Sequence, residues 1–173
     1  FNVAKKIREE TGISERGVSI SSAAVELAKK IFEDFGYHSV MLVGTGEMAE
    51  LAAKHLISYG VKTVYVASRT YERAASLAET LNGCALDFDA FKEELYRADI
   101  VITSTSAPKF IIHKEMIEQA IHKRKNKPIF LIDIAVPRDI APEVNDLENV
   151  YLYDIDDLQN VVNANMEERQ KEA

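Results

Sequence analysis

The chain has 173 residues, of which 47% are hydrophobic and 28% charged, a composition typical of one globular domain. Its net charge of −7 argues against a general nucleic-acid-binding surface. The sequence has no signal peptide and no apolar stretch near the ~20 residues that cross a membrane, and one cysteine excludes an intrachain disulfide framework. We therefore expect a cytoplasmic protein without a membrane partner.

The first 36 residues predict two helices. Residues 1–11 have the pattern of an amphipathic helix, and residues 14–17 that of a loop. Ser21 or Ser22 then caps a second helix, which ends at Gly36. The chain begins without methionine and closes on a charged helical run, so we expect an internal piece of a longer protein.

A strand–turn–helix–strand unit follows between Ser39 and Thr70. The apolar run Val40–Val43 predicts a buried strand, and Gly44-Thr45-Gly46 predicts a turn. The next helix ends at Gly60, and the β-branched run Val61–Val66 predicts a second strand. The unit has the size of a mononucleotide-binding half.

The glycine turn reads Gly44-x-Gly46-x-x-Ala49. Glycines also occur in ordinary turns, but here a strand precedes the turn and a helix follows it. Gly44 allows the tight turn, Gly46 lets the backbone approach a pyrophosphate, and Ala49 lets the helix pack on the strand. Phosphates would bind the N–H groups at the helix N-terminus. The cofactor-binding residues predicted from this turn are Gly44, Thr45, Gly46, Glu47 and Met48.

The end of the second strand favours NADPH over NADH. An NAD site places Asp or Glu about 20 residues past the glycine turn, where this chain has Ala67-Ser68-Arg69-Thr70. Ser68 and Thr70 offer hydroxyl groups, and Arg69 offers a planar fork for a 2′-phosphate. Arg73 adds positive charge. The alternative is that Arg69 is an ordinary solvated loop residue.

The remaining sequence continues the alternation of helices and strands. Helices are predicted at Tyr71–Leu81, Phe88–Tyr96, Lys114–Lys123 and from Asp154 to the end, and strands at Cys84–Leu86, Asp99–Thr103, Pro128–Ile132 and Val150–Tyr153. This order predicts an α/β fold: a Rossmann-like, doubly wound, mainly parallel sheet flanked by helices, with a C-terminal helix.

Two polar segments follow the fourth and fifth strands, where ligands bind in such sheets. Thr103, Ser104, Thr105 and Ser106 either contact a cofactor or form a polar loop with local side-chain bonds. In the second segment, 135–138, we expect Ala135 and Val136 near the cofactor. Its arginine, Arg138, either braces the loop against Asp133 or Asp139 or points into the cleft.

Other reactive side chains do not form a recognisable site in the sequence. The basic run 122–127 precedes the fifth strand, at the end of the sheet opposite the cofactor. It is predicted to be a solvated helix end, and the alternative is a contact with RNA phosphates. The four histidines have no metal-ligand spacing with Cys84 or with each other, so no metal site is predicted. Cys84 is interpreted as a structural thiol, and no catalytic residue is assigned.

Six segments resemble one family, the glutamyl-tRNA reductases. They are EETGISERGVSISSAAVELA, VMLVGTGEMAELAAKHL, VASRTYERAASLA, ADIVITSTSAP, LIDIAVPRDIAPEV and VYLYDIDDLQNVV. The fifth and sixth are far more specific than the glycine turn. Together the six cover nearly the whole chain.

The resemblance implies an NADPH-binding domain between a catalytic and a dimerisation domain. It implies three parts: residues 1–18 as a helix and linker from an upstream domain, residues 19–153 as the Rossmann domain, and residues 154–173 as the start of a connecting helix. In the family, a cysteine of the catalytic domain attacks glutamyl-tRNA, and NADPH reduces the thioester to glutamate-1-semialdehyde for tetrapyrrole synthesis. Cys84 does not match that cysteine, so this chain is expected to bind NADPH without catalysis.

The resemblance also implies partners, and two other hypotheses compete with it. The implied partners are glutamyl-tRNA through other domains, a second copy in a homodimer, and the downstream glutamate-semialdehyde aminomutase. One alternative is the NADP domain of a shikimate-dehydrogenase-like enzyme, against which the IDIAVPRD and YLYDIDDL segments argue. The other is a non-catalytic Rossmann domain that senses nucleotides.

Overall fold

Six strands and six α-helices alternate along the described chain. The computed structural model describes the backbone of residues 2–172 and the side chains of residues 15–172. The strands are β1 (Ser39–Val43), β2 (Thr63–Ser68), β3 (Cys84–Asp87), β4 (Ile100–Thr103), β5 (Ile129–Asp133) and β6 (Val150–Asp154). The α-helices are α1 (Asn2–Ile31), α2 (Glu47–Ser58), α3 (Tyr71–Thr80), α4 (Phe91–Glu94), α5 (Lys114–Lys123) and α6 (Ile155–Glu172). Short 3₁₀ helices cover Phe35–Tyr37, Phe88–Ala90, Leu95–Arg97 and Pro142–Asp146.

The strands form one parallel sheet in the order β3-β2-β1-β4-β5-β6. The order reverses between β1 and β4, and in such sheets a crevice opens outside the carboxyl ends of these two strands. The predicted doubly wound sheet and C-terminal helix are confirmed. All candidate cofactor loops therefore follow the carboxyl ends of the strands, here called the carboxyl edge of the sheet.

The core lies on both faces of the sheet. Every residue of β1, β4 and β5 is buried, as expected for parallel strands covered by helices on two sides. One apolar cluster joins the sheet to α1, α2, α3 and α6 through residues such as Ala24, Leu56 and Leu158. A second cluster, around Phe91 and Ile117, covers the opposite face.

The first helix is longer than the sequence indicates. Residues 2–31 form one continuous helix, so the predicted loop at 14–17 and the predicted start at Ser21 or Ser22 are wrong. The helix ends at Ile31 rather than at Gly36, which lies in a separate 3₁₀ turn, Phe35–Tyr37. The predicted apolar face of residues 1–11 lies outside the described side chains. The division of the chain after residue 18 stays a prediction.

Contacts with α2 explain why the helix continues. Gly17 lies inside α1 and faces α2, where a Cβ would be in ordinary contact with the Leu51 side chain at 3.4 Å. Ser21 is fully buried and donates its hydroxyl hydrogen to the Val18 carbonyl at 3.0 Å, and its hydroxyl oxygen lies 3.3 Å from Nδ1 of His55 in α2. These residues look like helix breakers or caps in the sequence, but here they serve helix–helix packing.

The end of α2 and the start of α6 have the capping residues that their sequences predict. Gly60 has φ +123° just beyond α2, which is the conformation expected of a glycine that ends a helix. At the start of α6, the Asp157 N–H donates to Asp154 at 2.9 Å, and the Asp154 N–H donates to Asp157 at 3.0 Å. This reciprocal cap confirms the predicted start of the terminal helix.

At the amino ends of the strands, here called the amino edge of the sheet, lies a buried arginine that the sequence pattern does not predict to be buried. Arg124, in the basic run 122–127, is only 8% exposed. Its guanidinium donates to the carbonyls of Tyr96, Ala98, Lys127 and Pro128 and to the Asp99 carboxylate, at 2.7–3.3 Å. The prediction of a solvated helix end is therefore wrong for Arg124, which ties α5 to the strands on either side.

Two surface features complete the fold. Across residues 2–172, no helix combines the length and apolar character that a membrane span requires. Cys84 is exposed on β3, the strand at one edge of the sheet. The Cys84 side chain is therefore accessible from solvent rather than part of the core.

Candidate functional site

The turn between β1 and α2 is shaped by two glycines that face the loop after β4. Gly44 has φ +101°, and its N–H donates to the Ala67 carbonyl at 2.8 Å. A Cβ at Gly44 would lie 2.9 Å from the Ser104 backbone, and one at Gly46 would lie 3.0 Å from the Ser104 hydroxyl. A side chain at either position would push the two loops apart. Glycine is thus required at both positions by the adjacent loop, independently of any ligand.

A cavity of about 350 Å³ opens in front of this turn. Three segments line it: the glycine turn, the loop after β2 and the loop after β4. The lining residues are Gly44, Thr45, Gly46, Ser68, Arg69, Thr70, Arg73, Phe88, Ser104, Thr105, Ser106 and Ala107. The structure therefore brings together nine predicted cofactor residues from distant parts of the sequence.

The N-terminus of α2 opens onto this cavity. Gly46 is the N-cap residue and provides no side chain to bond the first-turn N–H groups. The Gly46 N–H itself donates to the Ser104 hydroxyl oxygen at 3.2 Å. The dipole of α2 favours negative charge at this end. The turn can therefore accept an anion, with the Ser104 hydroxyl beside it.

The loop after β2 supplies positive charge and hydroxyl groups. Arg69 and Arg73 are both exposed, and the Arg69 guanidinium lies 5.5 Å from the centre of the Phe88 ring. The Thr70 N–H donates to the Ser68 hydroxyl oxygen at 3.3 Å. A guanidinium that rests on an aromatic face still has its planar fork of N–H donors for a phosphate. This corner of the cavity can bind a phosphate group.

A second, larger cavity of about 650 Å³ shares the Arg69 corner. The last residue of β3, Asp87, and the turn after it contribute Phe88 and two acidic side chains, those of Asp87 and Asp89, and Glu93 follows in α4. The sequence contains no carboxylate near Arg69 along the chain before Glu72. The carboxylates come instead from the neighbouring strand, β3, which pairs with β2. Positive and negative groups therefore line the same opening.

The loop after β4 is held from behind by a buried carboxylate. Asp139 is completely buried and accepts the Thr105 N–H at 2.9 Å as well as the Thr105 hydroxyl. The Thr105 hydroxyl oxygen in turn accepts the Ala107 N–H at 3.2 Å. Thr105 thus directs its hydroxyl away from the cavity, so the local-bond alternative describes this residue.

A second buried carboxylate, Asp133, lies behind the first. It accepts the Thr103 hydroxyl at 3.2 Å and the N–H groups of Ala135, Asp139 and Ile140 at 2.9–3.1 Å. Burial raises the pKa of Asp133, while these hydrogen bonds oppose the rise. Burial also raises the pKa of Asp139, and the negative charge of Asp133 adds to that rise.

Five of the predicted cofactor residues, Glu47, Met48, Thr103, Ala135 and Val136, do not line the cavity. Thr103 and Ala135 are buried, and the Thr103 hydroxyl is occupied by Asp133. Glu47 and Met48 line a separate groove between α1 and α2. Glu47 and Met48 are therefore placed beside the glycine turn but on its far side.

Val136 and Arg138 also lie outside this cavity. Val136 is 79% exposed at the carboxyl edge of the sheet. Arg138 forms ion pairs with Asp154 and Asp156. Arg138 therefore braces the loop after β5 against the start of α6, and neither predicted orientation, toward Asp133 or Asp139 or into the cleft, is correct.

Sequence patterns alone do not assign two residues, Phe88 and Asp139, to the site. Phe88 lines both cavities, although the sequence places it in a helix remote from the glycine turn. Asp139 was considered only as a partner for Arg138, whereas it bonds Thr105. Strand order would have revealed Phe88, because β3 lies next to β2. The orientation of Asp139 depends on tertiary packing that no local pattern encodes.

One family model matches most of the sequence. A family model described as Shikimate / quinate 5-dehydrogenase matches residues 26–161, which is most of the chain. The chain belongs to this family. The match includes the whole sheet and all three loops of the cavity. At the level of the domain, the family agrees with the shikimate-dehydrogenase-like alternative.

Individual relatives carry a different name. Glutamyl-tRNA reductase of Geobacter metallireducens is 57% identical, over 100% of this chain and 40% of the relative. The solved glutamyl-tRNA reductase of Methanopyrus kandleri is 46% identical with a TM-score of 0.83, over 99% of this chain and 43% of that one. The nucleotide binding domain from Thermoplasma volcanium is 21% identical, over 87% of this chain and 96% of that one, with a TM-score of 0.63, and shows the fold alone.

These relatives confirm the predicted resemblance to glutamyl-tRNA reductases. The similarity extends over the whole of this chain but over only part of each full-length relative. The chain spans about two fifths of the length of the curated relatives it matches. What those proteins do as a whole is therefore a separate question from what this chain binds.

Proposed function

We propose that this chain is the NADPH-binding domain of a glutamyl-tRNA reductase. The observation that carries the proposal is the single cavity formed by the glycine turn, the Arg69 loop and the loop after β4. The high identity to full-length reductases over the whole chain supports the same assignment. The protein would use glutamyl-tRNA as substrate, with catalysis assigned to parts outside this chain.

The residues of the cavity fit a dinucleotide with a 2′-phosphate. Gly44 and Gly46 let the glycine turn lie close against the loop after β4, and Gly46 leaves the start of α2 without a side-chain cap, so a pyrophosphate would meet the N–H groups there. Ser68, Arg69, Thr70 and Arg73 would hold the 2′-phosphate through charge-assisted hydrogen bonds. When bound, NADPH supplies the hydride for reduction of a thioester.

Each loop would have a separate task in binding. The N–H groups of the glycine turn fix the pyrophosphate, and the exposed guanidinium of Arg69 distinguishes NADPH from NADH. Ser104 and Ser106 line the opposite wall, where their hydroxyls would contact the ribose or phosphate. Val136, exposed at the same edge of the sheet, would shield the nicotinamide end from water.

The proposed partners follow from the family rather than from this cavity. Glutamyl-tRNA would bind through other domains of the protein, which agrees with the net charge of −7 on this chain. The whole protein would form a homodimer and pass its aldehyde product to glutamate-semialdehyde aminomutase. Residues 154–173, which include α6, would begin the connection to the dimerisation domain.

Calorimetric titration with NADPH and NADH tests the proposal. We expect the chain to bind NADPH more tightly, and Arg69→Ala to weaken NADPH binding by about 10- to 100-fold, equivalent to ~1.5–3 kcal/mol, with little change for NADH. Arg169→Ala removes an equal charge from an exposed position near the end of α6 and serves as the matched control. Equal losses for both cofactors would contradict the role of Arg69.

One alternative retains direct support, because the family model that matches is named for shikimate and quinate dehydrogenases. A protein of that type would oxidise a cyclic hydroxy acid with the same cofactor. Assays of the whole protein with shikimate and with glutamyl-tRNA separate the two possibilities. Oxidation of shikimate without reduction of glutamyl-tRNA would replace the reductase assignment.

A further inference from the structure

A buried carboxylate stands behind the wall of the cavity without forming part of it. Asp139 has no exposed surface, and it is absent from the residues that line the opening. It nevertheless holds the loop that forms this wall, through both the N–H and the hydroxyl of Thr105. We propose that Asp139 is a positioning residue that sets dinucleotide affinity through the loop after β4, an inference that rests on the proposed NADPH site.

The path from Asp139 to the phosphate site is short. Asp139 fixes Thr105, and the next residue back, Ser104, presents its hydroxyl to the Gly46 N–H at 3.2 Å. Ser104 also lies so close to Gly44 that a Cβ there would be 2.9 Å from its backbone. A displacement of the loop after β4 would therefore change the space and the hydrogen bond at the glycine turn.

The backbone of Asp139 is itself held firmly. Its N–H donates to Asp133 at 2.9 Å, and its carbonyl accepts the N–H groups of Ile111 and Ile112 at 2.7 and 3.0 Å. Ile112 also forms a parallel bridge with Ile140. The carboxylate therefore projects from a fixed point toward Thr105, and it can transmit the position of β5 to the cavity wall.

The contacts of Asp139 suit a carboxylate better than an amide. Its two oxygens face two donors of Thr105, and an ionised carboxylate accepts from both. An asparagine has the same shape but offers one acceptor, so its NH₂ group would face one of these donors. The Thr105 hydroxyl can accept from that NH₂ group only by turning its own hydrogen away, so the loop loses the charge-assisted O–H bond that holds it, although no group that touches the cofactor has been changed.

The test compares Asp139→Asn and Thr105→Val with the original chain. We expect each variant to weaken NADPH and NADH binding by the same factor, about 10-fold, because the pyrophosphate end is common to both cofactors. The double variant should lose little more than either single one, since both changes remove the same contact. Asp146→Asn, an identical change at an exposed position after β5, should bind like the original.

A second measurement does not depend on the cofactor. The NMR signal of the Gly46 amide should shift in Asp139→Asn and Thr105→Val and stay in place in Asp146→Asn, because only the first two release Ser104. A variant that merely lost stability would leave this signal unchanged in its folded molecules. Thr105→Val provides the same test if Asp139→Asn fails to fold.

The possible outcomes separate this inference from the proposed function. An original chain that binds neither cofactor would overturn the NADPH assignment, and the affinity role of Asp139 with it. Binding by the original chain with undiminished affinity in both variants, or with an unmoved Gly46 signal, would overturn the inference alone. A loss confined to NADPH would also overturn it, because Asp139 would then act at the 2′-phosphate.

Discussion

The two ends of the sheet use polar residues in opposite ways. At the amino edge, the guanidinium of Arg124 is buried and its donors bind four carbonyls and Asp99. At the carboxyl edge, Arg69 is exposed over Phe88 and faces an open cavity. Both arginines belong to polar segments that flank strands, yet one is part of the scaffold and the other is free to meet a ligand.

The difference shows that remaining hydrogen-bonding capacity, more than residue type, marks a binding surface. Arg124 closes its end of the sheet because its polar partners are all internal. The carboxyl edge combines both kinds of residue: Asp133 and Asp139 are used internally, and they hold in place the hydroxyls and N–H groups that face the cavity. A rigid inner layer thus supports an outer layer that can bind.

The largest effect is expected from Arg124→Ala. It would leave the Asp99 carboxylate and several carbonyls without their buried partner, and we expect the free energy of unfolding to fall by about 3–5 kcal/mol. Urea unfolding measures this loss, and Lys127→Ala, an exposed neighbour, should cost no more than about 0.5 kcal/mol. NADPH affinity of the folded variant should be preserved. A loss of affinity without a loss of stability would reverse the contrast between the two edges.

An intermediate effect is expected from alanine at either end of α2. Gly44 and Gly60 both have positive φ, so either substitution should lower the free energy of unfolding by about 1–3 kcal/mol. Only Gly44→Ala also forces a Cβ against Ser104, whereas at Gly60 the nearest atom would be 3.6 Å away. Gly44→Ala should therefore abolish NADPH binding in a calorimetric titration, and Gly60→Ala should retain it. Equal binding by both would contradict the proposed site.

The smallest effect concerns pH. Burial raises the pKa of Asp133 above its unfolded value of ~3.9. Such an acid favours folding at low pH, and this contribution is lost as the pH rises through the folded-state pKa. The unfolding free energy of the original chain minus that of Asp133→Asn should therefore decrease from about pH 4 upward. In Asp133→Asn the pKa of Asp139 is also raised less, because the charge of Asp133 is gone. This change likewise makes the stability difference between the two chains decrease with pH.

Urea unfolding over this pH range measures the difference. Asp146→Asn, which is exposed, should show no comparable trend against the original chain. A difference that grows with pH would mean that the hydrogen bonds to Asp133 outweigh its burial. The negative charge of Asp133 would then stabilise the fold, whereas the burial of that charge is expected to destabilise it.

The sheet was predictable because each buried strand is a continuous apolar run bounded by glycine or polar residues. The glycine turn and the Arg69 loop were found because both lie within one local unit, Ser39 to Thr70. The single helix at residues 2–31 was not predictable in this way. Gly17 and Ser21 favour turns and helix caps, but both lie in the contact with α2, which stabilises the helix.

Residues whose role depends on distant partners were also missed or misplaced. The carbonyls that surround Arg124 come from two separate segments, 96–98 and 127–128, and a run of charged residues gives no sign that they converge. Phe88 reaches the cavity only because β3 pairs with β2. Thr103 was placed in the cavity by its position at a strand end, but strand alternation turns its hydroxyl toward Asp133.

The exposed thiol on β3 gives this chain a built-in attachment point for a reporter group. Cys84 is the only cysteine of the sequence, so a thiol-reactive dye would label each molecule once. Asp87, three residues along the same strand and about 10 Å away at the usual rise of a strand, lines the cavity beside Arg69. Fluorescence from that position would follow filling of the cavity in real time, and Cys84→Ser would provide the unlabelled blank.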